Sequence, residues 1–116
     1  MRYLLMIYTN EELENGMSEE EKQAMYGEYF GFTEAIQKQG IHRAGEALQP
    51  VATATTVSVR GGKVITTDGP YAETKEQLGG FYLVETDSID GAIAAAAKIP
   101  GAKHGFIEVR PIIDFD

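Results

Sequence analysis

The sequence has 116 residues, the length of one domain, and we assign residues 1–116 to a single domain. It contains no cysteine, which excludes disulfide frameworks, thiolate metal sites and cysteine nucleophiles. A formal net charge of −8 opposes binding to nucleic acid, and every apolar stretch is far shorter than the roughly 20 residues of a membrane span. We therefore expect a cytoplasmic protein with neither nucleic acid nor a membrane as its partner.

The chain begins with a predicted strand and a predicted long helix. Residues 2–8 are apolar at both alternating sets of positions, which is typical of a central strand covered on both faces. The acidic residues 10–16 are predicted to form a solvated loop leading into the helix. Ser18 and Glu21 have the spacing of a capping box. An apolar stripe at helical spacing follows, and Gly40 is the predicted stop: the stripe comprises Met25, Tyr29, Phe32 and Ile36.

The middle of the chain is predicted to be extended. Residues 41–48 indicate a second strand, interrupted by Gly45 and closed by Pro50. Residues 52–59 and 63–67 flank the pair Gly61-Gly62, which predicts a tight antiparallel hairpin with positive φ at both glycines.

The last third of the chain repeats the strand–helix–strand order. Residues 78–86 alternate as a strand that is apolar on both faces. Ser88 is the predicted cap of a second helix over residues 89–99, which Pro100-Gly101 ends. Residues 106–112 indicate the final strand.

This order of elements predicts an α+β fold, a ferredoxin-like antiparallel sheet with two helices on one face. Two of the strands also carry apolar side chains on the opposite face, and large exposed apolar patches are uncommon on monomers. A second copy of the chain, packed sheet against sheet, is the expected cover, so we predict a homodimer.

Residues 68–83 carry the most specific motif, DGPYAETKEQLGGFYL. This segment resembles the hallmark of the YCII-related family, in the branch named for an Asp-Gly-Pro-Phe (DGPF) motif, with Tyr71 in place of the Phe. The opening MRYLLMIY, the Leu48-Gln49-Pro50 segment and the closing IEVRP of residues 107–111 also resemble that branch. The resemblance implies a dimeric α+β barrel that acts as a small-molecule-binding protein or small enzyme of unknown substrate.

The chain lacks one pair of residues that the resemblance leads us to look for. The broader family is associated with a His–Asp pair, the His on the first helix and the Asp before a Pro after the second helix. Here no His lies between Ser18 and Gln39, and Ile99 precedes Pro100, so the pair is not carried over. Genes of the branch often stand beside sigma factors of the extracytoplasmic-function type, which implies a non-catalytic accessory or regulatory domain as the alternative.

Asp68 and His42 are the candidate catalytic residues. A turn at residues 68–70 can orient the Asp68 carboxylate at a cavity mouth for acid–base work; alternatively, Asp68 accepts backbone N–H groups of its own turn. His42 and His104 are the only imidazoles of the chain, and imidazole suits proton transfer near neutral pH.

The candidate ligand-binding residues fit a small acidic or aromatic ligand, although surface pairs and core packing are the simpler interpretations; they are Tyr29, Arg43, Tyr71, Glu73, His104 and Arg110. A cavity between helices and sheet is predicted to be lined by Tyr29, His42, Asp68, Tyr71 and Arg110. The sequence has no phosphate loop and no metal-ligand spacing, so neither a cofactor nor a metal is predicted. Gly27 and Gly31 are predicted to open a groove for close packing on the first helix.

Overall fold

Residues 1–115, which the computed structural model describes, form six strands and three helices. The strands are β1 (Arg2–Thr9), β2 (His42–Ala47), β3 (Thr55–Arg60), β4 (Lys63–Asp68), β5 (Gln77–Glu85) and β6 (Phe106–Pro111). The helices are α1 (Glu11–Asn15), α2 (Glu19–Lys38) and α3 (Ile89–Ala97). Short 3-10 turns occupy Val51–Thr53 and Pro100–Lys103.

Four strands form one antiparallel sheet in the order β2–β5–β1–β6. The apolar strand β1 and its neighbour β5 take the two central positions, as their sequences predict. Helices α2 and α3 connect the strands and pack on the same face of the sheet, where they share one core with it. This arrangement confirms the predicted ferredoxin-like α+β fold.

The core lies between the sheet and the two long helices. Alternate residues of β1 point into it, because side chains along a strand alternate between the two faces. Three small alanines on the buried side of α3 allow that helix to lie close to the sheet. The buried apolar residues are Tyr3, Leu5, Ile7, Phe32, Ile36, Tyr82, Val84, Ala92, Ala95, Ala96 and Ile99.

The opposite face of the sheet is also apolar but carries no helix. Leu4 of β1 stands directly opposite Leu83 of β5, and Met6 stands opposite Phe81. All four side chains are partly exposed. We call this surface, with Tyr8, the open face.

The acidic segment after β1 differs from the predicted loop, because its middle forms α1. The Asn10 side chain caps this helix by accepting from the Leu13 backbone N–H at 3.2 Å, and three glutamates lie in its first turn. Acidic side chains there are stabilised by the positive end of the helix dipole. Five residues are too few for a helix to persist alone, so contacts described below hold it in place.

The capping box at the start of α2 is present as predicted. Ser18 Oγ accepts from the Glu21 backbone N–H at 3.1 Å, and Glu21 Oε1 accepts from the Ser18 backbone N–H at 3.0 Å. The bonds from Ser18 lower the pKa of Glu21 by favouring its carboxylate form. Gly40, with φ of 77°, follows the end of the helix as expected.

The second long helix departs from its prediction at both ends. Ser88 occupies the N-cap position of α3, but its side chain forms no capping hydrogen bond, so the predicted role of its hydroxyl is wrong. The helix ends at Ala97, two residues before the predicted Ile99. Ile99 is instead extended and buried under the sheet, directly before Pro100.

The hairpin formed by β3 and β4 is separate from the main sheet, whereas the sequence predicted a single sheet. Its turn is as predicted, since Gly61 and Gly62 have φ of 57° and 76°. Strand β3 begins at Thr55 rather than residue 52, because the chain after Pro50 first makes a 3-10 turn. Every residue of β4 is exposed.

The groove predicted at Gly27 and Gly31 has no occupant within the described chain. A Cβ atom at either position would meet nothing within 4 Å among residues 1–115. Both glycines lie on the exposed side of α2. Close packing inside the chain therefore does not explain them.

Candidate functional site

A cavity of about 610 Å³ lies between α2, α1 and the helix-side face of the sheet. We call it the α1–α2 cleft. Its floor comes from β1, β2 and β5 and includes Ile7, Thr9, Gly45 and Tyr82. Its long wall comes from α2 and comprises Lys22, Met25, Tyr26, Tyr29, Phe30 and Thr33. Glu11, Glu14 and Asn15 of α1 close one end, and His42 lies at the start of β2.

Helical spacing places the aromatic residues of the wall on one side of α2. Tyr26 and Phe30 are four residues apart, as are Tyr29 and Thr33, so each pair lies one turn apart on one side. Tyr26 is 49% exposed and Phe30 is 74% exposed, and both line the cleft. The rim of the cleft therefore presents two large aromatic side chains to solvent.

A hydrogen-bonded chain of hydroxyl groups joins the wall to the floor. The Thr33 hydroxyl donates to the Tyr29 carbonyl oxygen at 2.9 Å and lies 2.7 Å from the Tyr82 hydroxyl. The Tyr82 ring packs edge-on against Phe32, with ring centroids 5.0 Å apart. These contacts hold Tyr82 in one orientation beneath the cleft.

Gly45 makes room for the Tyr82 ring in the floor. The two residues are direct neighbours across β2 and β5, and a Cβ atom at Gly45 would lie 2.8 Å from Tyr82 Cδ1. Gly80 has a different role, because a Cβ atom there would lie 2.8 Å from the Glu46 carbonyl oxygen of the adjacent strand. Close contact with the adjacent strand therefore accounts for the glycine at position 80.

Tyr29 lies at the base of the cleft, against the turn that follows α3. Burial raises the pKa of Tyr29 to about 12. The negative charge of Glu14 also raises this pKa, whereas a hydrogen bond with the Gly101 backbone lowers it. The phenol is therefore neutral at physiological pH. The Tyr29 phenol fits against Gly101 because glycine has no side chain, since a Cβ atom there would lie 2.7 Å from the Tyr29 hydroxyl oxygen.

Long-range hydrogen bonds hold α1 at the end of the cleft. Gln77 Oε1 accepts from the Glu11 backbone N–H at 2.9 Å, and Glu11 Oε2 accepts from the Val51 backbone N–H at 3.0 Å. The buried Thr9 hydroxyl donates to Glu14 Oε1 at 3.1 Å. These bonds tie α1 to three other parts of the chain, which compensates for its short length.

Of the five residues predicted to line one cavity, the structure brings together Tyr29 and His42. The His42 ring lies at the β2 end of the cleft, with its centroid 6.3 Å from that of Tyr82. Asp68, Tyr71 and Arg110 line neither this cleft nor the second cavity described below, so the predicted combination is wrong for three residues.

The sites of those three residues are determined by the hairpin and the edge strand. Asp68 ends β4, and its exposed side chain accepts no hydrogen bond from the described turn, unlike the predicted alternative. Tyr71 is 92% exposed in the loop that follows. Arg110 stands opposite Leu4 on the open face and pairs with Glu108, so the sheet separates it from the cleft.

The remaining predicted ligand-binding residues are also outside the cleft. Arg43 forms an ion pair with Glu85 at 3.1 Å and donates to the carbonyl oxygens of Gly40 and His42. Glu73 is exposed in the loop after β4, and His104 is exposed after the second 3-10 turn. Arg43 therefore has a structural explanation at the edge of the sheet.

Most residues of the cleft were not among the predicted site residues, and those whose side chains form the hydrogen bonds described above include Glu14, Thr33 and Tyr82. Thr33 follows Tyr29 by one helical turn, a signal that could have placed it beside the predicted tyrosine. Glu14 gave no such signal, because it belongs to a run of acids that resembles a solvated surface. Tyr82 resembled one of several apolar positions of a strand.

A second cavity of about 520 Å³ lies between α2 and α3, on the other side of the core. It is lined by residues 85–88 and by the side of α3 that carries Gly91. Residues 1–115 contain no cluster of three or more His, Cys, Asp or Glu side chains that could hold a metal ion. Among the helices of that part of the chain, none is long and apolar enough to cross a membrane.

Comparison with known proteins identifies the family. The YCII-related domain matches residues 1–116. The chain belongs to the YCII-related family. It is also similar to an uncharacterised protein of Rhizobium meliloti (strain 1021), with 33% identity over 114 residues that cover 97% of this chain and 92% of that protein.

This YCII-related domain departs from the His–Asp pattern associated with its family. Helix α2 contains no histidine, and the position before Pro100 is Ile99, which is 1% exposed and packs in the core. An apolar residue there contributes to stability and offers no group for proton transfer. The polar side chains that the α1–α2 cleft offers instead include Glu14, Tyr29 and Tyr82, with His42 at one end.

Proposed function

We propose that this YCII-related protein binds a small organic molecule in the α1–α2 cleft. The observation that carries the proposal is a cavity of about 610 Å³ whose wall is aromatic and whose base holds oriented hydroxyl groups. Ligand sites in proteins are usually clefts of about 300–1,000 Å³ with apolar walls and a few fixed polar groups.

The exposed aromatic residues at the rim support the same interpretation. Folding buries only part of the Phe30 and Tyr26 rings, so core packing alone does not explain why two aromatic residues stand here. Because both rings lie over a cavity, an apolar ligand in that cavity would contact them and cover them from water. The alternative function, a non-catalytic accessory or regulatory domain, predicts no ligand for this cleft.

The proposal extends to binding and not to a reaction. Of the two residues predicted for acid–base catalysis, His42 lies at the cleft and Asp68 does not. A pair of acid–base residues can act on one substrate only if both lie within hydrogen-bonding reach of its reacting groups. Enzymatic activity is therefore a separate hypothesis in which His42 would act alone among the predicted pair.

A ligand screen on two matched variants tests this function. Phe30→Ala removes an exposed aromatic ring at the cleft, and Phe115→Ala removes one that is 91% exposed elsewhere. Neither ring is buried, so both variants should fold normally. We expect ligands found by NMR chemical-shift perturbation to bind Phe30→Ala at least about tenfold more weakly and Phe115→Ala unchanged. A broad fragment library that perturbs no cleft residue would contradict the proposal and favour the accessory domain.

We also infer that the chain falls in the DGPF branch of its family. Asp68-Gly69-Pro70 supports this placement, with Tyr71 as the departure from the motif. Gly69 has φ of 102°, a conformation that favours glycine. Its backbone N–H donates to the Ala54 carbonyl oxygen at 2.7 Å, so the motif closes the base of the hairpin.

We propose that the protein is a homodimer in which a second copy covers the open face. Two uncovered apolar surfaces support this. The open face lies on the main sheet, and Val57, Val59 and Val64 stand on one face of the hairpin with exposures of 57–69%. A free two-stranded hairpin is only marginally stable in water, so a partner that packs on it would stabilise it. Arg60 and Lys63 give its tip a positive charge in an acidic protein.

A further inference from the structure

The direction of the hydrogen bonds makes the base of the cleft rich in acceptors. A threonine hydroxyl has one proton, and that of Thr33 is donated to the Tyr29 carbonyl oxygen. The proton between Thr33 and Tyr82, whose oxygens are 2.7 Å apart, therefore comes from the Tyr82 hydroxyl. Because this proton is already used, the Tyr82 oxygen can offer a ligand only its lone pairs.

The end of the cleft formed by α1 adds two carboxylates. Glu14 Oε1 accepts from the Thr9 hydroxyl, and Glu11 Oε2 accepts from the Val51 backbone N–H. Each bond occupies one carboxylate oxygen, which leaves the second oxygen of each group as an acceptor. Ionised carboxylates offer no proton to a ligand, so an anionic or purely accepting ligand gains nothing from them.

The charges around the cleft are predominantly negative. Lys22 is the one lysine or arginine among the residues that line it, against three carboxylates, those of Glu11, Glu14 and Glu46. The neighbouring start of α2 carries Glu19, Glu20 and Glu21, and the whole protein has a net charge of −8. A negative field of this kind attracts cations and repels carboxylates as they approach.

We propose that the cleft binds a hydrophobic amine, a molecule with a protonated amino group on an apolar or aromatic body. The amino group would donate to the Glu14 carboxylate, and the apolar body would pack on Tyr26 and Phe30. Aromatic faces also attract organic cations, which adds to the same preference. This inference rests on the proposed binding function and departs from the acidic ligand that the sequence suggested.

Three probes that share a phenyl ring and a two-carbon spacer separate charge from shape. They are 2-phenylethylamine, 3-phenylpropionate and the neutral 2-phenylethanol, titrated by NMR at neutral pH and fixed ionic strength. We expect the amine to bind at least about fivefold more tightly than the carboxylate, with the alcohol between them. High salt should weaken the binding of the amine and leave the binding of the alcohol unchanged, because salt screens charge.

Two isosteric variants locate the preference. Glu14→Gln keeps an oxygen that accepts from Thr9 and removes the charge, so it should bring the amine and the carboxylate to within about twofold of each other. Glu12→Gln removes an exposed charge of the same helix outside the cleft and should leave the ratio unchanged. Circular dichroism on both variants verifies that α1 and the sheet are retained.

Each result bears on a different claim. Binding of the carboxylate as tightly as the amine, or an amine preference that Glu14→Gln leaves intact, overturns the amine inference while the binding function stands. If library compounds bind in the cleft and 2-phenylethylamine does not, the amine inference is likewise overturned while the binding function stands. Failure of all three probes and of the library overturns both.

Discussion

Replacing Gly101 by alanine tests the packing that positions the Tyr29 hydroxyl at the base of the cleft. A Cβ atom at Gly101 would lie 2.7 Å from the Tyr29 hydroxyl oxygen, 3.1 Å from Ile7 Cγ2 and 3.2 Å from Thr9 Cγ2. All three distances are shorter than ordinary van der Waals contact. Because Ile7 and Thr9 are buried, the added methyl group must displace atoms of a packed region.

We expect Gly101→Ala to lower the free energy of unfolding by about 1–3 kcal/mol, the usual cost of overpacking. In a domain of this size that corresponds to a melting temperature lower by about 4 °C for each kcal/mol. Tyr29→Phe removes the oxygen that makes the shortest contact and leaves the contacts with Ile7 and Thr9. In the Tyr29→Phe background, Gly101→Ala should therefore cost about 1 kcal/mol less.

Urea unfolding of the wild-type protein, the two single variants and the double variant measures this coupling. Gly27→Ala serves as the control, since its Cβ atom would meet no atom of residues 1–115 within 4 Å. Equal costs of Gly101→Ala in the wild-type and Tyr29→Phe backgrounds would refute the contact between Gly101 and the Tyr29 hydroxyl. The assignment of Tyr29 to the base of the cleft would fail with it.

The other predictions concern the helix surface, alkaline pH and assembly. Gly31→Ala should raise the free energy of unfolding by about 1 kcal/mol in urea, because it adds helix propensity in open space; a loss would indicate a neighbour outside the chain. The folded protein holds the Tyr29 proton more tightly than the unfolded chain, so this stabilisation is full below pH 10 and is lost as the pH rises through about 12. Tyr29→Phe should flatten that loss in pH-dependent melting, and Tyr71→Phe should not. Light scattering of the wild-type protein should give twice the chain mass of 12.7 kDa, and a monomeric wild-type protein would contradict the dimer. Val64→Lys on the hairpin should reduce the measured mass to that of one chain, whereas Ile93→Lys on α3 should leave it unchanged.

Local signals in the sequence were sufficient to predict most elements of the fold. The capping box at Ser18 and Glu21 and the turn at Gly61-Gly62 depend on residues close together in the chain, so their geometry follows from their own chemistry. The two apolar sets of alternating residues along β1 likewise predicted a central strand, and the structure places β1 between β5 and β6. Helix α1 was missed because its residues resemble an acidic loop and its stability comes from distant partners.

The candidate site could be predicted only in part for the same reason. The sequence indicated Tyr29 on the first helix and His42 after the end of that helix. It placed Asp68 and Arg110 with them without any means of judging distance. The structure separates those two, since one lies on the hairpin and the other on the far face of the sheet.

Residue types and their spacing in the sequence determined the elements, the faces they bury and the family to which the chain belongs. Only the tertiary structure decided where the hairpin stands and which side chains meet in the cleft. The contacts that build the cleft join residues far apart in the chain, such as Thr33 with Tyr82 and Glu11 with Gln77. Such pairs form only after the sheet and α2 have packed, because their hydrogen bonds depend on the relative position of whole elements rather than on local propensity.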